Sequence, residues 1–132
     1  MLNLEIVTPE KRVFSETVDV VTVPTASGEV GILTDHAPLI SALKSGILSY
    51  NRGGTTEKMV ISGGFLEVSA NKVSVLADTA ERADEIDVEA ARLEREAAEK
   101  SLSAWKGSED EFEIEKDRLE RAQARLQLSS GK

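Results

Sequence analysis

The chain has 132 residues, a formal net charge of −8, a single histidine and no cysteine. This excludes thiol nucleophiles, disulfides, Cys-type zinc sites and multi-histidine metal centres. The acidic balance argues against a nucleic-acid backbone as partner and for other proteins.

From Met1 to about Asp84 the hydrophobic pattern has period two. Leu2, Leu4 and Ile6 alternate with polar neighbours, and Val18, Val20 and Thr22 interleave with Asp19, Val21 and Val23. Met59 and Ile61, then Phe65, Val68, Val73, Val75 and Leu76, continue in short β-rich runs. Pro9-Glu10, Ala26-Ser27-Gly28, Arg52-Gly53-Gly54, Ser62-Gly63-Gly64 and Ala70-Asn71 are turn signals between them. Strands at a spacing of roughly 8–12 residues imply a sandwich or flattened barrel of about ten strands. With aromatics at only 4%, its core is expected to be Val, Ile, Leu and Ala.

After Asp84 glycine and β-branched residues nearly vanish, and Ala, Glu, Arg and Leu, all helix formers, take over. Ile86, Ala90, Leu93, Ala97 and Ala104 recur at helical spacing, with Ala91, Ala98, Leu102 and Trp105 widening the same face. Asp84 or Asp87 can cap the start, and Gly107-Ser108 breaks the helix. Ser108 and Glu111 form an S-x-x-E capping box for a second helix. On it Phe112, Leu119 and Leu126 lie seven apart with Ala122 between. The expected fold is therefore α+β by segments: an all-β sandwich over 1–84, then an antiparallel two-helix hairpin over 85–132.

Helices of about 20 residues are marginal alone in water, so the hairpin needs a surface to pack on. If a partner shares that surface, the hairpin can detach. Straightened, about 45 residues would reach on the order of 70 Å at about 1.5 Å each. No apolar run approaches the roughly 20 residues that span a bilayer. Met1 to Glu5 lacks the basic and apolar regions of a signal peptide, so the chain is expected to start in the cytosol or an equivalent compartment.

Three segments carry candidate chemistry. Gly28-Glu29-Val30-Gly31 is glycine-rich, but it lacks the Gly-Lys-Ser/Thr ending of a phosphate loop and reads as a tight β connection. Asp35-His36-Ala37-Pro38 holds the lone histidine; Ser41 and Ser45 are near, yet no nucleophile elbow surrounds either, so a turn histidine is expected and no catalytic residue. Arg118, Arg121 and Arg125 fall at i, i+3 and i+7 on one helix face. They either pair within the helix, with Glu115, Asp117 and Glu120, or form a basic stripe for an acidic partner.

The string Gly28-Glu29-Val30-Gly31-Ile32-Leu33-Thr34-Asp35-His36-Ala37-Pro38-Leu39, a G-x-x-G-x-L-x-x-H-x-P-L pattern, is followed by Gly46-Ile47-Leu48, Gly63-Gly64-Phe65-Leu66-Glu67-Val68 and Val73-Ser74-Val75-Leu76-Ala77-Asp78. Together these resemble the epsilon subunit of F-type ATP synthases (delta in mitochondrial naming), from the first residues through Leu126. The resemblance implies a β-sandwich plus two helices on the central stalk of the enzyme. Its implied partners are the gamma subunit, the c-subunit ring and a catalytic beta subunit. It implies no cofactor or metal of its own and a place at the cytoplasmic face of the membrane, or an equivalent face. By the same resemblance Gly28 to Leu39 would lie near the c ring, with Glu29 as polar contact, Gly28 and Gly31 in the same loop, and His36 and Pro38 shaping it ahead of Leu39. Many relatives inhibit ATP hydrolysis when the hairpin opens, which makes Arg118, Arg121 and Arg125 candidates to meet the beta subunit.

One departure limits the carry-over. Some relatives bind ATP through I/L-D-x-x-R-A; here Ile86, Asp87 and Ala91 match, but Ala90 stands where the arginine would be. A methyl cannot replace that charge-assisted bond to phosphate, so regulatory ATP binding is expected to be absent or weak. The competing readings are an unrelated β-sandwich that binds a ligand or peptide, and a small hydrolase using His36. The first would usually show exposed aromatics, whereas most of Phe14, Tyr50, Phe65, Trp105 and Phe112 sit in core-like patterns.

Overall fold

Side chains on a strand alternate between faces, so Leu2, Leu4 and Ile6 all point one way. In the computed structural model, which describes residues 1–130, these three are buried on the inner face of β1 (Leu2–Val7). The chain continues through β2 (Arg12–Val18), β3 (Val20–Thr25), β4 (Gly28–Ile32), β5 (Leu39–Ala42) and β6 (Gly46–Arg52). Then come β7 (Thr55–Ser62), β8 (Phe65–Ser69), β9 (Lys72–Leu76) and β10 (Thr79–Glu81). The sheets run β2-β1-β9-β8-β5 and β10-β7-β6-β3-β4. Among the described residues only β1 and β9 pair in parallel. The inner faces meet in one core, with Leu2, Leu4, Ile6, Leu66, Val73 and Val75 opposite Val21, Val23, Leu48, Tyr50, Met59 and Ile61.

Close packing explains one turn directly. Gly64 has φ +92, and a Cβ there would lie 1.7 Å from the Leu76 carbonyl oxygen. The β7–β8 connection thus needs glycine both for its backbone angle and for its approach to β9.

A short 3-10 turn (Ala83–Glu85) leads to α1 (Val88–Ser103) and α2 (Glu109–Ser129). Gly131 and Lys132, the end of the expected hairpin, lie outside the described residues. Asp87 caps α1, accepting a hydrogen bond from the Ala90 N–H at 3.0 Å, and Ser108 caps α2, accepting from the Glu111 N–H at 3.2 Å. The Glu111 carboxylate does not complete the reciprocal box; it accepts from the Ser108 hydroxyl at 3.0 Å.

Three expectations change. First, α1 ends at Ser103, before Trp105. Trp105 instead turns edge-on to Phe112 at 5.7 Å and donates Nε1–H to the Ser108 carbonyl at 3.1 Å, which closes the hairpin tip. Second, the face of α1 against α2 is Ala91 and Ala98, both fully buried, while Ala90, Leu93 and Ala97 are exposed. Glu94 lies between the two buried alanines and meets arginines of α2 from the same face. Third, Phe65 and Leu76 lie on the outer face of the first sheet, 58% and 49% exposed.

The helix α2 packs on β6 and β7, and α1 packs on α2. The apolar seat is small: Val60 with Ala124 and Leu128, flanked by Ile47 and Ile86. Among the described residues no helix is long and apolar enough to cross a membrane.

Candidate functional site

The connection between the two sheets divides the Gly28–Leu39 stretch. Gly28, at φ +111, follows the Ala26-Ser27 turn, where the Thr25 hydroxyl donates to the Gly28 carbonyl at 2.7 Å. Glu29 and Gly31 pair with Pro24 and Thr22 across β3–β4 and lie on the outer face of the second sheet. Glu29 lines a polar groove with Lys58, Glu120 and Gln123, between that face and α2. Leu39 opens β5 and packs against the sandwich core. His36 and Pro38 occupy the loop itself; Glu29 lines the groove beside α2, while Pro38 and Leu39 line a separate one with Ile40 and Glu67.

That loop is pinned from outside. The Asp35 N–H donates to the Asn71 side-chain carbonyl at 2.6 Å, and the Asn71 amide donates back to Asp35 Oδ1 at 3.1 Å. His36 Nδ1 lies 2.7 Å from the Ala37 carbonyl oxygen. Ser41 donates to its neighbour's carbonyl and Ser45 to Asp117, so no Ser-His-Asp relay forms.

The three arginines do converge, and mostly across helices. Arg121 donates to Glu94 Oε2 at 2.9 Å. The Arg118 Nε and Arg125 guanidinium each lie 3.6 Å from the same carboxylate. Arg125 also donates Nε–H to Glu81 of β10 at 2.6 Å, and Arg118 donates to Glu115 at 2.9 Å. The bond to Glu115, and behind it the neighbouring negative charges, holds the Arg118 pKa above its ordinary value. Of the intrahelical partners expected, only Glu115 serves. Asp117 and Glu120 instead dock α2 on the sandwich: Asp117 accepts from the Ser45 N–H at 3.1 Å and its hydroxyl at 2.7 Å, and Glu120 pairs with Lys44 at 2.9 Å. Those docking contacts join residues distant in sequence, so no local spacing signalled them.

The Ile86-Asp87 and Ala91 positions have structural partners. Ile86 packs beside Val60, Ala124 and Leu128, Asp87 caps α1, and Ala91 is buried under α2. Arg92 pairs with Glu89 and, at 2.7 Å, with Glu96 on the exposed side of α1.

The residue pattern also missed an apolar row. Ala42, Phe65, Leu76 and Val7 are successive partners across β5, β8, β9 and β1. Phe65 and Leu76 project from it into solvent.

Comparison with known proteins supplies the family. Residues 1–83 match "ATP synthase, Delta/Epsilon chain, beta-sandwich domain", and residues 84–130 match "ATP synthase, Delta/Epsilon chain, long alpha-helix domain". The ATP synthase epsilon chain of Desulforamulus reducens is 56% identical over 107 residues, covering 81% of this chain and 80% of its own length. That of Carboxydothermus hydrogenoformans is 55% identical over 102 residues, covering 77% and 76%. Among solved structures, a chain of the Euglena gracilis mitochondrial ATP synthase matches with a TM-score of 0.79 and 26% identity, over 96% of this chain and 79% of that one.

Proposed function

The chain belongs to the delta/epsilon family of ATP synthase subunits, and from that premise we propose that it is a non-catalytic central-stalk subunit of the rotary, proton-translocating enzyme. In this reading the β-sandwich binds the gamma subunit and the c-subunit ring and couples proton flow to rotation. The hairpin is a mobile element that restrains ATP hydrolysis when it opens and presents Arg118, Arg121 and Arg125 to an acidic surface of a catalytic beta subunit. The complex would hold the chain at the cytoplasmic face of the membrane, or the equivalent face of another energy-coupling membrane.

The observation that carries the mobile hairpin is how little apolar surface seats it. The sandwich has its own closed core with no helical residue in it. Against it α2 sets only Ala124 and Leu128, plus polar and ionic contacts through Asp117, Glu120 and Arg125. The half-exposed Lys44–Glu120 pair contributes roughly 0–1 kcal/mol, and the few remaining contacts are polar, so a partner that offers polar and charged groups can compete for them.

The exposed row Ala42–Phe65–Leu76 suits the fixed contact to the gamma subunit, because apolar side chains stranded on an outer sheet face favour burial against a partner. Co-purification with the gamma subunit tests this. Phe65→Glu should leave the sandwich folded and weaken the complex at least tenfold; unchanged binding would remove the row from the interface.

A further inference from the structure

We propose that Glu94 is the intramolecular competitor for the arginine stripe: its carboxylate holds Arg118, Arg121 and Arg125 in the docked hairpin and so sets how often the hairpin opens. The proposal rests on the reading of the hairpin as an opening element, and its test separates the two.

Three observations carry it. Glu94 sits at the helix–helix seam, flanked on its face by the fully buried Ala91 and Ala98, with its side chain 18% exposed. It is the one carboxylate within 4 Å of all three guanidinium groups among the described residues. The other partners divide: Glu115 stays on α2 and travels with Arg118, while Glu81 belongs to the sandwich and holds Arg125. Arg121 pairs with no other carboxylate in the described structure.

The consequence is selective for one state. Removing the charge of Glu94 leaves Arg121 partly buried and unpaired, between two like charges three and four residues away. In the docked state the Arg121 and Arg125 side chains are only 27% and 21% exposed at the seam, where solvent and salt screen them less than in the open state. Loss of Glu94 therefore raises the free energy of the docked state and frees the stripe for another acidic surface.

Because the chain has no cysteine, two introduced cysteines label it uniquely. Spin labels at Ser69→Cys and Lys106→Cys on the full chain, both exposed positions, report the distance between sandwich and hairpin tip. Glu94→Gln should increase the long-distance population at least threefold over the parent. Amide protection of β1 and β9 in the same samples reports that the sandwich stays folded. Adding Arg121→Gln to Glu94→Gln should return part of the docked population, since it removes the orphaned cation. An unchanged distance distribution in Glu94→Gln overturns the proposal, and so does a double variant as open as the single one, which would mark a packing defect. If Glu94→Gln opens the hairpin but leaves hydrolysis by the reconstituted complex unchanged, the role of Glu94 stands and the inhibitory reading falls.

Discussion

Asp35 and Asn71, 36 positions apart, hold each other through two hydrogen bonds while both adopt left-handed backbone angles, φ +65 and +64. Asx residues tolerate that region because their short polar side chains bond locally. Here the bonds are long-range, and they fasten the loop between β4 and β5 to the turn between β8 and β9. The Asn71 backbone carbonyl accepts a further bond from the Asn3 N–H at 2.8 Å, which ties the clasp to β1. Asn71→Gly keeps the backbone angle and removes both side-chain bonds. It should lower stability by about 1 kcal/mol, read as a fall in the urea midpoint with an unchanged slope. An unshifted midpoint would show that solvent replaces the clasp fully.

Gly64→Ala should destabilise the sandwich by about 3 kcal/mol or more, because its Cβ meets backbone and the residue would be strained as well. Gly31→Ala should stay within about 0.5 kcal/mol, since nothing lies within 4 Å of a Cβ there. Chemical denaturation of both variants checks the contrast. Gly31→Ala thereby probes the proposed c-ring surface without disturbing the fold.

Much of the sandwich was legible in the sequence because strand burial has a local signature. Leu2, Leu4 and Ile6 alternate and are buried together, and the Pro9-Glu10, Gly53-Gly54, Gly63-Gly64 and Ala70-Asn71 turns fall between strands, whereas Gly28 to Gly31, which reads as a connection, lies within β4. The exposure of Phe65 was not legible: an aromatic in a β run looks the same on either face until the sheet's partners are known. On α1 the choice between Ala90-Leu93-Ala97 and Ala91-Ala98 turned on a helix rotation of one residue, and alanine discriminates weakly between the two. The face that packs on α2 also carries Glu94, whose arginine partners lie 24 to 31 positions on. The arginine stripe was visible as a stripe, but its partners were not, since pairing across helices leaves no trace in local spacing.

The Lys44–Glu120 pair gives the hairpin a dependence on alkaline pH. The hydrogen bond to Glu120 first, and its charge second, raise the Lys44 pKa above the ordinary lysine value, with slight burial opposing and Asp117 and Glu113 adding to the rise. A raised pKa means that the pairing stabilises docking fully below the ordinary lysine range. The contribution is lost as pH climbs through the raised value. With the Lys44 side chain 44% exposed, it is worth less than about 1 kcal/mol. Amide exchange in α2, corrected for intrinsic rates, should speed up in that window, and Lys44→Met should flatten the response. A parent profile with no such rise would remove the pair from the docking contacts.

ATP should bind the isolated chain no more tightly than millimolar. Asp87 is engaged in capping, Ala90 offers no charge, and Arg92 is held by Glu89 and Glu96 on the outer side of α1. Calorimetric titration checks this directly; micromolar affinity would show that other groups replace the missing arginine.

The most direct test of the whole account is ATP hydrolysis by the reconstituted complex carrying either the full chain or a version ending at Asp84. The truncated sandwich keeps its entire apolar core and should still bind the gamma subunit. Hydrolysis should be faster with the truncated chain, most visibly where the hairpin would otherwise open. Equal rates in every condition, with both versions stably bound, would contradict it.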